Sequence, residues 1–367
     1  MRGQWTGSYR GENVDGKMMV NIDEVGDHFE IEVYVSPDSH EIPASVGYAI
    51  TRHKGAGHRV TASVNAIDPR SGRQTSWGLI KHLYPESVYH NDNLDVDVKF
   101  SGDNVIIESV DGGAKFSGKA TNFRAPDCSR VSERVLNWDG FKQYLSGFSG
   151  SQFLFRGQSK PWPLRTSFHR RNRYLINKFI NDDVVTLHRR VSGLTSHFFD
   201  ISVPEQNGAF LNLLQHHGYP TPLLDWSYSP YVAAFFAFRD VKKNSKEKEH
   251  VRIFLFDKEA WVNDFNQLPQ LICPNPHLSV MEFLSVNNPR QSPQQAITTV
   301  TNVADIEGHV LSREEENKRK YIYAVDIPYS ERDTAMDDLR YMGITAGSMF
   351  PGIDGVCEAL KEANFES

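Results

Sequence analysis

The chain has 367 residues, 39% of them hydrophobic and 23% charged, which is long enough for two domains or three small ones with cores of their own. A formal net charge of −6 argues against a general nucleic-acid binder, although a local basic patch is not excluded. Cys128, Cys273 and Cys357 are odd in number and far apart, which suits a reducing cytoplasm better than a disulfide framework, and no CxxC pair suggests zinc. No apolar run has the length of a signal peptide or membrane span, so a cytoplasmic protein without membrane contact is expected.

Residues 1–124 read as an all-β domain. Alternation runs through Trp5, Gly7 and Tyr9, then Met18, Val20 and Ile22, then Phe29, Ile31, Val33 and Val35. The pattern continues over 45–51, 59–67, 94–100, 104–110 and 114–120. Turn chemistry separates these runs at Asp15-Gly16, Gly26-Asp27, Pro37-Asp38, Asp68-Pro69, Gly102-Asp103 and Asp111-Gly112-Gly113. Even spacing of short strands predicts a meander closed into a small barrel or a sandwich. The opening Gly3-x-Trp5-x-Gly7 resembles the first strand of up-and-down, lipocalin-like barrels. Such a module could hold a ligand or could be a filled interaction unit. Trp77, Leu79, Ile80, Leu83 and Tyr84 form an apolar cluster that reads as a short helix plugging one barrel end, or as core.

Residues 125–367 read as a second, α+β domain. Trp138, Phe141, Tyr144, Leu145 and Phe148 fall on one helical face. Phe153-Leu154-Phe155 is a buried strand that delivers Arg156-Gly157-Gln158-Ser159. An Arg beside a Gly after an apolar strand is either an anion clamp or a structurally paired arginine. The basic cluster Arg165, His169, Arg170 and Arg171 follows. Residues 174–199 then look mostly helical, with Leu175, Phe179, Val184, Leu187, Val191, Leu194 and Phe198 as a core stripe.

The stretch 215–238 carries the densest signals. A helix ends at Gly218, where a positive φ is easily adopted. Leu223-Leu224 reads as a buried strand ending at Asp225-Trp226-Ser227. Ser229-Pro230 starts an almost wholly apolar helix, with Ser as N-cap and Pro at the first helical position. Polar residues where a buried strand hands over to a buried helix are a common ligand position, and the helix start offers free N–H groups. Residues 240–250 form a charged loop, 251–256 a buried strand, 260–276 an irregular segment, and 313–320 a charged surface stretch. A strand over 321–327 and a helix over 330–342 stopped by Gly343 lead to a final helix through Leu360. Adjacent His216 and His217 point different ways, so no metal pair is expected.

These motifs resemble the FRG domain, named for its Phe-Arg-Gly signature. The resemblance rests on Phe155-Arg156-Gly157, then Gln215-His216-x-Gly218-x-Pro220-Thr221-x-Leu223-Leu224-Asp225-Trp226-Ser227. Support comes from Trp138-Asp139-x-Phe141, Gln158-Ser159, the Ala233/Ala234/Ala237 helix, Asn288-Pro289-Arg290 with Gln294, and Phe350-Pro351-x-x-Asp354-Gly355. It spans roughly 135–360 and leaves the β domain outside. FRG domains are similar to ADP-ribosyltransferases of the Arg-Ser-Glu type. The resemblance implies an ADP-ribosyltransferase-like core with NAD as the nucleotide substrate and no metal. Arg156 would grip NAD and Ser227 would supply the serine element. Gln294 falls near the third position, and Asp225 and Glu282 are the nearby carboxylates.

The resulting site assignment has Arg156, Asp225, Ser227 and His216 as catalytic residues. Gly157, Gln158, Gln215, Thr221 and Gln294 are its ligand contacts. Asp225 and His216 could equally be buried polar groups that satisfy each other and the backbone. Two functions follow. One is a transferase or NAD glycohydrolase, as in toxin or phage-defence proteins, with the β domain sensing a trigger or binding a protein acceptor or regulator. The other is a non-catalytic nucleotide- or protein-binding module using the same pocket.

Overall fold

The computed structural model describes residues 1–12, 14–110, 116–122, 125–148, 150–243, 248–286 and 288–365, without the side chains of 354, 362 and 363. The Asp111-Gly112-Gly113 turn, part of the 240–250 loop and the Asp354 side chain therefore lie outside the described residues. Among the described residues, no helix is long and apolar enough to cross a membrane.

The alternating N-terminal runs form β1 (Gly3–Gly11), β2 (Asp15–Val25), β3 (His28–Pro37), β4 (Ser45–Ile50), β5 (Gly57–Ile67), the short β6 (Gln74–Thr75), β7 (Asn93–Ser101), β8 (Asn104–Ser109) and β9 (Phe116–Asn122). Each pairs antiparallel with its neighbour. Pairings β1–β9 and β4–β5 complete the ring, so the sheet is a closed barrel of eight strands with β6 attached to β5. Closure leaves no bare edge for another chain to add to. Period two sends Trp5, Val20, Ile22, Ile31, Val98, Val105 and Ile107 into a common core. Of the cluster read as a plug, Ile80 is buried, whereas Leu79 and Leu83 are exposed. Trp77 packs on Tyr84 and His90 instead.

The second sheet contains β10 (Glu133–Val135), β11 (Phe153–Gln158), β12 (Leu223–Ser227), β13 (His250–Asp257), β14 (Leu278–Met281), β15 (Ala296–Thr301) and β16 (Ile322–Pro328). Its order is β10-β16-β13-β11-β12-β15-β14. Only β10 and β16 run parallel, so this half is a mixed sheet flanked by helices, and the chain as a whole is α+β. Helices α1 (Trp138–Leu145), α2 (Pro204–His216), α3 (Pro230–Phe238), α4 (Ile306–Asn317), α5 (Arg332–Tyr341) and α6 (Ile353–Phe365) surround it.

The apolar helix read from the sequence is α3. Ser229 caps it by accepting from the Val232 N–H, and Pro230 sits in its first turn. Val232, Ala233, Ala234, Phe235, Ala237 and Phe238 are buried, and each large side chain there contributes roughly 1.5–3 kcal/mol. The helix lies over β11, whose Phe153 and Phe155 face it.

Two expectations need correction. The apolar stripe of 174–199 ends early: helix spans 176–191, and after Gly193 both Leu194 and Phe198 stand in solvent. The stretch read as irregular opens with a helix at Lys258–Asp264, capped by Asp257. The charged run 313–320 is a surface stretch as read: 315–320 are exposed, and 313–317 form the end of α4, whose short buried face of Ile306, Glu307 and Val310 gives only weak helical periodicity.

Candidate functional site

β11 and β12 are neighbours, yet they share a single register pair, Phe155↔Ser227. Beyond it they splay, and the two strands continue in pairs with β13 and β15 respectively. Arg156 follows Phe155 on β11, so the period of two turns it to the face away from α3. From there Nη1 donates to the Asp225 carbonyl at 2.6 Å. The Arg156 Nε is shut off from water and has no partner. Burial pushes this guanidinium down to about 10, and Arg170 acts in the same direction while Asp225 opposes both. It remains a cation at neutral pH, half-buried with its Nε enclosed, and undercompensated.

The opposing wall comes from the end of α2. Gly218 takes φ +84°, which ends the helix and turns the chain toward β12. Just before that turn, Gln215 donates from Nε2 to Asp225 Oδ2 at 2.5 Å. A carboxylate only accepts, so the amide nitrogen faces it and Oε1 faces the other way, where the Thr221 hydroxyl donates to it. Thr221 is fully buried, and its N–H donates to Ser167 Oγ at 2.9 Å. A chain of polar contacts thus runs from Ser167 through Thr221 and Gln215 to Asp225.

Arg170 completes the enclosure. Thr166 caps the short helix Ser167–Arg170 by accepting from the His169 N–H. That helix brings Arg170 to the pocket holding Arg156, Gln215, Asp225 and Tyr219, about 180 Å³ in volume. Arg170 is exposed at the rim, and among the described residues its side chain makes no hydrogen bond or ion pair. Two guanidiniums and one carboxylate leave this small cavity with a net positive charge. Its volume is below the roughly 300–1,000 Å³ of whole small-molecule sites and suits one phosphate or carboxylate group.

The other residues singled out in the sequence lie around this pocket or beyond it. Gln158 is buried and donates to the Trp162 carbonyl at 2.7 Å, holding the loop after β11. Gly157 faces α3, and a Cβ there would meet the Ala233 carbonyl oxygen at 1.8 Å. Its missing side chain makes room for a helix. The Ser227 hydroxyl donates to the Gln294 carbonyl at 2.7 Å and accepts from the Ser229 N–H at 3.0 Å. Gln294 itself donates to the Met349 carbonyl at 2.9 Å. His216 turns to Asn288, with Nδ1 3.0 Å from Asn288 Nδ2 and 2.8 Å from the Asn212 carbonyl. Of the two carboxylates near the motif, Asp225 is in the pocket, whereas Glu282 bonds the Tyr228 hydroxyl and is largely exposed.

Arg170, Ser167 and Tyr219 line the pocket without having been singled out as ligand contacts. The basic cluster 165–171 was the signal for Arg170, which stays exposed at the pocket rim while His169 of the same cluster is buried. A larger cleft of about 1060 Å³ is lined by both the barrel and the second half of the chain. It contains none of the motif residues, and its Arg130 and Asp305 are already paired with each other.

No curated protein matches the chain. Among solved structures, the crystal structure of Rv2717c from M. tuberculosis matches with 9% identity and a TM-score of 0.19, covering 34% of this chain and 92% of that one. The model of the FRG domain matches residues 151–246, a span that runs from just before β11 to just past α3 and includes the whole Arg156 pocket. The protein therefore carries an FRG domain, joined to an N-terminal eight-stranded barrel.

Proposed function

We propose that the Arg156 pocket is the phosphate-gripping part of a nucleotide site, and that its substrate is NAD. The observation that carries this reading is the half-buried Arg156 guanidinium, whose enclosed Nε has no partner, sharing a pocket with the exposed guanidinium of Arg170. An undercompensated cation with an enclosed, unpaired N–H is best relieved by an anion, and arginine forks match phosphate oxygens. Asp225, held by Gln215, is the carboxylate positioned to bind a ribose hydroxyl. The rest of the dinucleotide would run out past Tyr219, since the cavity holds only one charged group.

In the enzymatic form of the reading, the glycosidic bond from ribose C1′ to the nicotinamide nitrogen breaks and nicotinamide leaves with the bonding pair. A protein acceptor or water then bonds C1′ and releases a proton. The Asp225 charge favours the oxocarbenium-like transition state. The barrel would present or sense the acceptor. A second reading, a nucleotide-binding module without turnover, is favoured by the engaged Ser227 hydroxyl and by Asp225 being the one carboxylate in the pocket.

The test combines nicotinamide release from NAD with calorimetric titration of ADP-ribose, on wild type, Arg156→Ala and Asp225→Ala. Saturable ADP-ribose binding lost in Arg156→Ala is expected, with NAD turnover lost in both variants. Binding without turnover selects the module. No binding of ADP-ribose or NAD by the wild type overturns the phosphate assignment.

A further inference from the structure

The barrel touches the FRG domain through carboxylates. Asp23 on β2 is almost fully buried, accepts from Arg173 Nε at 2.8 Å and takes the Tyr174 N–H at 2.7 Å. Glu30 on β3 pairs with Lys178 Nζ at 2.5 Å. Glu32, two residues on along β3 and fully buried, accepts from the Lys178 N–H at 3.1 Å and the Asn177 N–H at 3.5 Å. Those two amides open the helix at 176–191. Helix starts have N–H groups without intrahelical partners, and here a strand of the other domain supplies the acceptor.

The segment held in this way continues directly into the pocket wall. Asn172 takes φ +55° and joins the docked residues to the short helix Ser167–Arg170. Arg165 bridges the two parts, donating to the His169 carbonyl at 2.8 Å and to the Tyr174 hydroxyl at 3.3 Å. Phe168 packs on Phe179 with ring centroids 5.0 Å apart. Ser167 accepts from Thr221, which in turn fixes Gln215 against Asp225. Residues 165–179 therefore form one packed unit, with the barrel on one side and the anion pocket on the other.

We infer that the barrel is a regulatory element of the FRG domain: its docking through Asp23, Glu30 and Glu32 holds Arg170 and the Gln215–Asp225 wall in binding geometry. This rests on the phosphate-binding reading of the pocket. Coupling through such a contiguous unit acts both ways. Undocking the barrel weakens the pocket's hold on a phosphate group, and a phosphate group in the pocket tightens docking.

The experiment uses two full-chain variants that cut the interface from opposite sides, Asp23→Asn/Glu30→Gln/Glu32→Gln and Arg173→Ala/Lys178→Ala. Amide exchange at Tyr174, Asn177 and Lys178 reads docking, exchange at His169 and Arg170 reads the pocket wall, and titration with ADP-ribose and pyrophosphate reads binding. Faster exchange at both sets and about 5- to 100-fold weaker binding in both variants are expected, the usual range for such coupling. Wild type should also show slower exchange at Asn177 and Lys178 once ligand is bound. Unchanged protection of Tyr174, Asn177 and Lys178 in both variants overturns the proposal. So does lost docking with affinity within twofold of wild type. If the wild type binds neither ligand, the phosphate reading fails on its own. The coupling is then decided by exchange at His169 and Arg170, where loss of protection supports it and retained protection overturns it.

Discussion

Gly157 and Ala233 share a space that admits no side chain, because a Cβ on Gly157 would lie 1.8 Å from the Ala233 carbonyl oxygen and 2.9 Å from the Ala237 Cβ. Helix α3 therefore sits directly on β11. Gly157→Ala should destabilise the protein by about 3 kcal/mol or more, the upper end for overpacking, because the obstacle is backbone. Chemical denaturation measures it. Were the glycine needed for ligand approach, the variant would keep its stability and lose only affinity.

Arg156 offers the reverse test. Arg156→Met keeps much of the volume and removes the charge. The lost hydrogen bond to the Asp225 carbonyl costs about 1 kcal/mol, while removal of an undercompensated, half-buried cation acts the other way. Stability without ligand should therefore change little. Wild type should gain about 2.7 kcal/mol from pyrophosphate at a hundredfold excess over Kd, and the variant should gain none. Thermal melts with and without pyrophosphate check both halves. An unchanged ligand-induced shift would remove Arg156 from the site.

Asp225→Asn separates binding from chemistry. The carboxylate opposes anion binding by Coulomb repulsion, and across about 4 Å at an effective dielectric near 20 that interaction amounts to roughly 4 kcal/mol before screening. Pyrophosphate should bind several-fold more tightly to the variant, whose amide can still bond Gln215. NAD turnover, if Asp225 stabilises the developing positive charge, should fall at least a hundredfold. Tighter anion binding with unchanged turnover would assign the chemistry elsewhere.

What the sequence showed of this site follows from how local each determinant is. Ser229-Pro230 marks the start of α3 and Gly218 the end of α2, since capping and positive φ depend on a few adjacent residues. The barrel was legible as strands because each core face repeats every second residue, but its closure was not, because even spacing fits a barrel or a sandwich alike. The pairing of Arg156 with the Asp225 carbonyl was not legible, because it depends on how far β11 and β12 diverge after one register pair. The packing of Gly157 on α3 was not legible for the same reason: a missing side chain says that something comes close, not whether it is ligand or helix. The docking carboxylates were hidden altogether. Glu30 and Glu32 alternate with Ile31 and Val33 as any solvent-facing residues of a barrel strand would, and only the tertiary structure buries Glu32 and half-covers Glu30.

His169 gives the pH dependence its sign. Its ring is fully buried, Nδ1 lies 2.7 Å from Thr166 Oγ1, and Nε2 has no partner. Burial pushes it down to about 3 from an ordinary 6.5, with Arg165 acting the same way. The folded state thus holds it neutral while the unfolded chain protonates it. Its contribution is fully present above pH 6.5 and is lost as the pH falls toward 3, by up to about 1.4 kcal/mol per pH unit. Buried Asp23 and Glu32 have raised values and titrate with the opposite sign, so the overall slope mixes both. The informative measurement is the difference in denaturation free energy between wild type and His169→Gln from pH 7.5 to 5. The variant should lose less stability on acidification, by about the slope of one proton. Parallel curves would mean that His169 takes up its proton in the folded state, and that the segment carrying Arg170 is open to water.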